Sequence, residues 1–130
     1  LFKPEIVRHL ERQGHTVIDC GVNSPESVDY PDLADAVCKK VLSGEAEVGV
    51  LMCGTGIGVA MAANRHKGIR AAVCATTEMA RLSREHNNAN VLCFGKRILT
   101  LKQSLEILDV WLATPFSNDE RHVRRIGKMG

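Results

Sequence analysis

The chain has 130 residues, of which 45% are hydrophobic and 25% charged, and a formal net charge of +2; these proportions suit one domain large enough to bury a real core. So small a charge gives no ground for nucleic acid or an anionic membrane as partner, no apolar run approaches a membrane span, and no signal-peptide pattern opens the chain. Five cysteines, an odd number without a Cys-x-x-Cys pair, read as reduced thiols of a cytoplasmic protein, and five histidines without ligand spacing predict no metal site.

Phe2, Ile6, Val7 and Leu10 recur at helical spacing, Pro4 suits a first turn, and Gly14 ends the helix. Thr16 to Cys20 then reads as a strand. A helix feeding a strand is normally the second half of a βαβ unit, so the pattern predicts a further strand ahead of Leu1, about ten to fifteen residues with its loop. Gly21 to Tyr30 is a polar loop. Pro31 opens a helix running to about Ser43, with Leu33, Ala34, Val37, Cys38 and Val41 inward and Gly44 closing it.

The central stretch follows. Val48 to Met52 is a nearly continuous apolar run, which suits a strand buried on both faces of a parallel sheet. It stops at Cys53, and Gly54, Thr55, Gly56, Ile57 and Gly58 lead into a small-residue helix over Val59 to about Arg65. A thiol at the carboxyl end of a strand, beside the unpaired N–H groups and positive dipole of a helix start, faces a place suited to an anion or to an oxygen that becomes negative during reaction. Other glycine signatures fail letter by letter. A P-loop needs Gly at Val59 and Lys at Ala60, a dinucleotide fingerprint needs Gly or Ala at Val59 or Met61, and a Cys-x5-Arg phosphatase loop needs an Arg where Val59 or Ala60 stands. The same residues also describe a buried Cys in a tight turn, and both readings stay open on this stretch alone. Cys20, Cys38, Cys74 and Cys93 read as small hydrophobes.

Next come a strand at Ile69 to Cys74, a helix from about Thr77 to Glu85, a strand at Val91 to Phe94, an amphipathic helix over Leu101 to Ala113 and a basic helix from about Asp119 to Lys128. This alternation implies an α/β fold with a doubly wound parallel sheet, in which ligands bind outside the carboxyl ends of the strands; the expectation is that Cys53, Thr76, His86 and Gly95 gather there. His86 ends a helix, where it is either a surface cap or a general acid whose protonated form the helix dipole favours. Arg121 and Arg125 share one helical face at i, i+4, as a solvated basic face or as a fork for phosphate.

Taken together, Asp29-Tyr30-Pro31, the run Cys53 to Gly58, Ala62-Ala63-Asn64, the run Ser83 to Asn87, Asn90-Val91-Leu92 and the run Arg121 to Arg125 resemble the type-B ribose-5-phosphate isomerases and the related galactose-6-phosphate isomerase subunits, in the right order over essentially the whole chain. The resemblance implies a three-layer αβα, Rossmann-like sandwich in a single domain over residues 1–130. It also implies a homodimer, possibly a tetramer, with the C-terminal helices at about 100–128 in the interface and active sites shared between copies. The activity it implies is aldose–ketose isomerisation of a sugar phosphate through a cis-enediolate, with neither metal nor cofactor. Cys53 takes the place of the proton-transfer base, Thr55 and the turn containing Gly54, Gly56 and Gly58 steady the enediolate, and His86 opens the sugar ring in the neighbouring subunit's site. Tyr30 and Asn87 match sugar-lining positions, and Arg97, Arg121 and Arg125 match phosphate-binding ones. The family's first strand ends in an Asp-His pair that helps to bind and open the sugar, and the resemblance places such a pair ahead of Leu1. Ribose 5-phosphate, a six-carbon sugar phosphate such as galactose or allose 6-phosphate, and a non-catalytic sugar-phosphate-binding role all remain compatible with these residues. A thiol of pKa ~8.5 is a poor base at neutral pH, but a helix N-terminus lowers it.

Overall fold

A computed structural model describes residues 2–21 and 29–130; most of the loop expected over Gly21 to Tyr30 lies outside the described residues. The elements in order are α1 (Phe2–Arg12), α2 (Tyr30–Leu42), β1 (Gly49–Cys53), α3 (Ile57–Ala63), β2 (Ala71–Val73), α4 (Thr77–Glu85), β3 (Val91–Gly95), α5 (Leu101–Ala113) and α6 (Glu120–Lys128). The strands pair in the order β1-β3-β2, all parallel, with Gly49 opposite Val91 and Cys53 opposite Gly95.

Every residue of β3 is buried, as its unbroken apolar run requires of a strand covered on both faces. Its side chains alternate between two cores. Leu92 and Phe94 join Ile6, Ala80, Ile107, Leu108 and Trp111 from α1, α4 and α5, while Val91 and Cys93 join Ala34, Cys38, Val59, Ala60 and Ala63 from α2 and α3. Helices on both faces of a parallel sheet make the three-layer α/β sandwich anticipated from the alternation.

Two expectations change. Thr16 to Cys20 forms no ladder with any described strand, and Thr16, Ile18 and Asp19 are exposed; an alternating pattern makes a strand only where a neighbour takes its backbone groups. The strand expected over Ile69 to Cys74 is regular only at Ala71–Val73. Side chains occupy its beginning: Arg70 N–H donates to Asn90 Oδ1 at 2.7 Å, and Asn64 pairs with both backbone groups of Ala71, at 2.8 and 2.9 Å.

The exits of β1 and β3 are stitched together by Lys96 N–H to Cys53 O at 2.9 Å and Arg97 N–H to Gly54 O at 3.0 Å. Gly95 allows this approach, since a Cβ there would stand 2.6 Å from Thr55 Cα. Gly95→Ala must therefore displace the turn after Cys53, and we expect a loss of roughly 1–3 kcal/mol in urea unfolding. Gly127→Ala, in open space within α6, should instead leave stability unchanged or raise it by up to ~1 kcal/mol. Equal effects of the two substitutions would contradict this packing.

Candidate active site

At the carboxyl end of β1 the chain leaves Cys53 through Gly54 and Thr55 and enters α3 at Gly56. Gly56 adopts the left-handed conformation (φ 87°), and its Cα lies so close to β3 that a Cβ would stand 2.9 Å from the Phe94 backbone; the turn therefore demands glycine twice over. This folds the first N–H groups of the helix back onto the thiol. Gly56 N–H donates to Cys53 Sγ at 3.1 Å. Burial alone would push the Cys53 thiol up, but the N–H groups of Val59, Gly56, Thr55 and Gly58 outweigh it and hold the thiol below its ordinary value. Elsewhere burial wins: Cys38 is pushed up to about 11, Cys93 to about 12, and Cys74 upward.

Of the other expected residues, Thr55, Gly54, Gly56, Gly58, Tyr30 and Arg97 stand around this thiol. Thr55 Oγ accepts from Ile57 N–H at 3.2 Å, leaving its own O–H free to donate. The Arg97 side chain runs over Gly54, with Cδ 3.4 Å and Nε 3.5 Å from where a Cβ would be. Tyr30, at the start of α2, lays its ring on Gly58, where a Cβ would stand 2.9 Å from the ring. Beside it Tyr30, Pro31, Gly58, Met61, Ala62 and Arg65 line an open groove of about 290 Å³.

His86, Asn87, Arg121 and Arg125 are elsewhere. In a parallel α/β sheet the helix before a strand ends at that strand's amino end, and α4 ends at His86, five residues before β3. Gly49 N–H, which opens β1, bonds Asn90 O at 2.9 Å, and Ser117 N–H, just ahead of α6, bonds Glu85 O at 3.1 Å. The expectation that His86 gathers with Cys53, Thr76 and Gly95 is therefore corrected: a five-residue strand separates them within one chain by about 15 Å. The reason is topological, since the rule about carboxyl ends governs the loops that leave strands, and His86 lies in a loop that enters one. Arg97 likewise parts from Arg121 and Arg125. Around His86 the ring of His122 lies at 4.4 Å between centroids, a neighbour that a reading of the arginines in this helix passed over.

The profile of the family described as Ribose/Galactose Isomerase matches residues 1–129. The chain belongs to the ribose/galactose isomerase family. It is 45% identical over 126 residues to ribose-5-phosphate isomerase B of Escherichia coli, covering 97% of this chain and 84% of that one. Its fold matches a Clostridium thermocellum ribose-5-phosphate isomerase B structure with a TM-score of 0.97 and 49% identity, over 99% of this chain and 86% of that one. A Thermotoga maritima ribose 5-phosphate isomerase gives 0.95 and 48%, over 98% and 88%.

For a member of an isomerase family, the carboxyl end offers a thiol biased toward thiolate beside backbone and hydroxyl donors, and the amino end offers an imidazole beside two guanidinium groups. The first of these is directly measurable. Under native conditions at neutral pH, iodoacetamide should label Cys53 well before Cys38, Cys74 or Cys93, read by peptide mapping. Labelling of all four at one rate would contradict the opposite shifts derived for them.

Proposed function

We propose that this chain interconverts ribose 5-phosphate and ribulose 5-phosphate through a cis-enediolate, with Cys53 as the base. The observation that carries this is the Cys53 thiol held below its ordinary pKa by the N–H groups of the α3 start, while three other cysteines of the chain are pushed the other way. The Cys53 thiolate takes the proton from C2 of the open aldose, the C2–H electrons form the C1–C2 double bond, and the carbonyl oxygen becomes the enediolate oxygen. The proton on O2 passes to O1, and return of the thiol's proton to C1 then leaves the ketose with its carbonyl at C2. Thr55 O–H, which the thiol does not use, stabilises the oxygen that gains charge, and the turn through Gly54, Gly56 and Gly58 lets the sugar approach it. A placed base contributes roughly 10²–10⁴ in rate and each aimed donor about 10²–10³. Relatives named for ribose 5-phosphate support that substrate over a six-carbon one.

The aldose is mainly a closed ring, and opening it needs a proton donated to the ring oxygen. His86 supplies it from a second copy of the chain, together with Asn87 at the sugar and Arg121 and Arg125 at the phosphate; Tyr30 and Arg97 come from the copy that carries Cys53. What supports this division is the placement of the two groups at opposite ends of one sheet. The active form in this reading is a homodimer built through α5 and α6, where Val123 and Met129 stand exposed. It works in the cytoplasm, in keeping with five free cysteines.

Cys53→Ala should lower kcat by about 10³ with little change in KM, because the thiolate acts on the transition state and not on the bound sugar. His86→Ala should be similarly impaired. Mixed in equal amounts under subunit exchange, half of the dimers become hybrid and each hybrid carries one site with both native residues, so about a quarter of parent activity should return. Near-normal turnover by Cys53→Ala would contradict the mechanism. No recovery despite exchange shown by native mass spectrometry would contradict the shared site.

A further inference from the structure

Ser83, Ser104 and His122 are the polar side chains buried among the described residues. The two serines are satisfied within their own helices, by Ala80 O at 2.9 Å and Thr100 O at 3.0 Å. His122, only 7% exposed, instead meets the side chains of Ser117, Arg121 and His86. Its Nδ1 is 2.9 Å from Ser117 Oγ, its Nε2 is 3.3 Å from an Arg121 guanidinium nitrogen, and its ring lies against His86 at 4.4 Å between centroids with 37° between planes.

These contacts determine where the ring proton sits. A guanidinium donates and never accepts, so the Nε2 facing Arg121 must present its lone pair, and a neutral ring then carries its proton on Nδ1, toward Ser117 Oγ. Ser117 Oγ can take it while also accepting from Asp119 N–H at 3.1 Å. Ser117 N–H is anchored on Glu85 O at 3.1 Å, one residue before His86. One imidazole thus links the last turn of α4, the first turn of α6 and the Arg121 side chain.

We propose that His122 is a positioning residue, a neutral Nδ1–H imidazole whose Nε2 holds Arg121 and whose ring face holds His86, so that the phosphate cation and the ring-opening acid keep a fixed spacing. This rests on the roles proposed above for His86 and Arg121. The charges around it agree. Burial lowers the His122 pKa, and its charge coupling to His86 and Arg121 lowers it further, with Asp119 opposing them and Arg125 adding to them; Glu85 sits beside His86 at the end of α4. An imidazolium at this position would lose the acceptor that Arg121 uses and would set a further positive charge beside that guanidinium.

The tautomer is read directly from long-range 15N–1H correlation spectra of the full chain at neutral pH, where His122 should show a protonated Nδ1 and a bare Nε2. In the isomerase assay with ribose 5-phosphate, His122→Ala should raise KM and lower kcat, each by roughly tenfold, as Arg121 and His86 both lose their support. His122→Gln returns an acceptor where Nε2 stood, so KM should recover to within about threefold of the parent while kcat stays low. A residue needed only for folding would move both constants together with the melting temperature and show no such split. Where the Ala variant fails to fold, the Gln variant and the spectrum decide. An imidazolium or an Nε2–H tautomer overturns the proposal. So do constants within about twofold of the parent in His122→Ala while His86→Ala is crippled, an outcome that leaves the proposed reaction standing. If His86→Ala itself turns over normally, the underlying reading of His86 falls and the positioning role with it.

Discussion

The N–H of Gly56 pointing at the Cys53 thiol, with the next turn of α3 behind it, is the contact on which the rest of this structure depends. A cysteine at the end of a buried strand would ordinarily become less acidic, as Cys93 does in the neighbouring strand of the same sheet. What reverses the sign at Cys53 is a supply of backbone donors that no side chain could deliver at such close range. That supply requires the turn to double back over β3, which requires a left-handed Gly56 and no Cβ at Gly95. The two-sided burial of β1 and β3, and the cores on either face, hold the strand ends still enough for the turn to keep its aim.

The other half of the proposed site sits where α4 ends and α6 begins. Arg84 ties this region down by donating to Ala89 O at 2.6 Å and Thr114 O at 3.2 Å while lying 4.7 Å over the Trp111 ring. The loop after His86 is held in turn, with Asn88 in a left-handed conformation (φ 48°) and its carbonyl accepting from Arg70 at 2.7 Å. A chain that places its Cys53 thiol at one end of a sheet and the His86 imidazole with Arg121 at the other holds the two in separate frames. In the homodimer proposed above, a two-fold axis sets the Cys53 end of one copy against the His86 end of the other.

Much of this was legible from residue order. The nearly continuous apolar run at Val48 to Met52 announced a strand covered on both faces, Val91 to Phe94 announced another strand, and the glycine-rich turn after Cys53 announced a helix start. Asp119, Thr76 and Thr100 act as the helix caps that their side chains suit. The shortened β2 was not legible, because the amides of Asn64 and Asn90 reach its backbone from seven and twenty residues away, and no local pattern encodes that reach. The position of His86 was misjudged for a related reason: periodicity identifies a helix end without saying which end of the sheet it meets. His122 escaped notice because a histidine within a run of arginines looks solvated until the helix is docked and the ring is found buried against His86.

Isomerisation run in deuterium oxide tests the central claim most directly, because a proton carried on a thiol exchanges with solvent whereas a hydride passed between carbons does not. The account predicts deuterium at C2 of recovered ribose 5-phosphate and at C1 of ribulose 5-phosphate, seen by NMR, and its disappearance in Cys53→Ala. Full conversion without deuterium, or undiminished exchange in the Cys53→Ala variant, would contradict it.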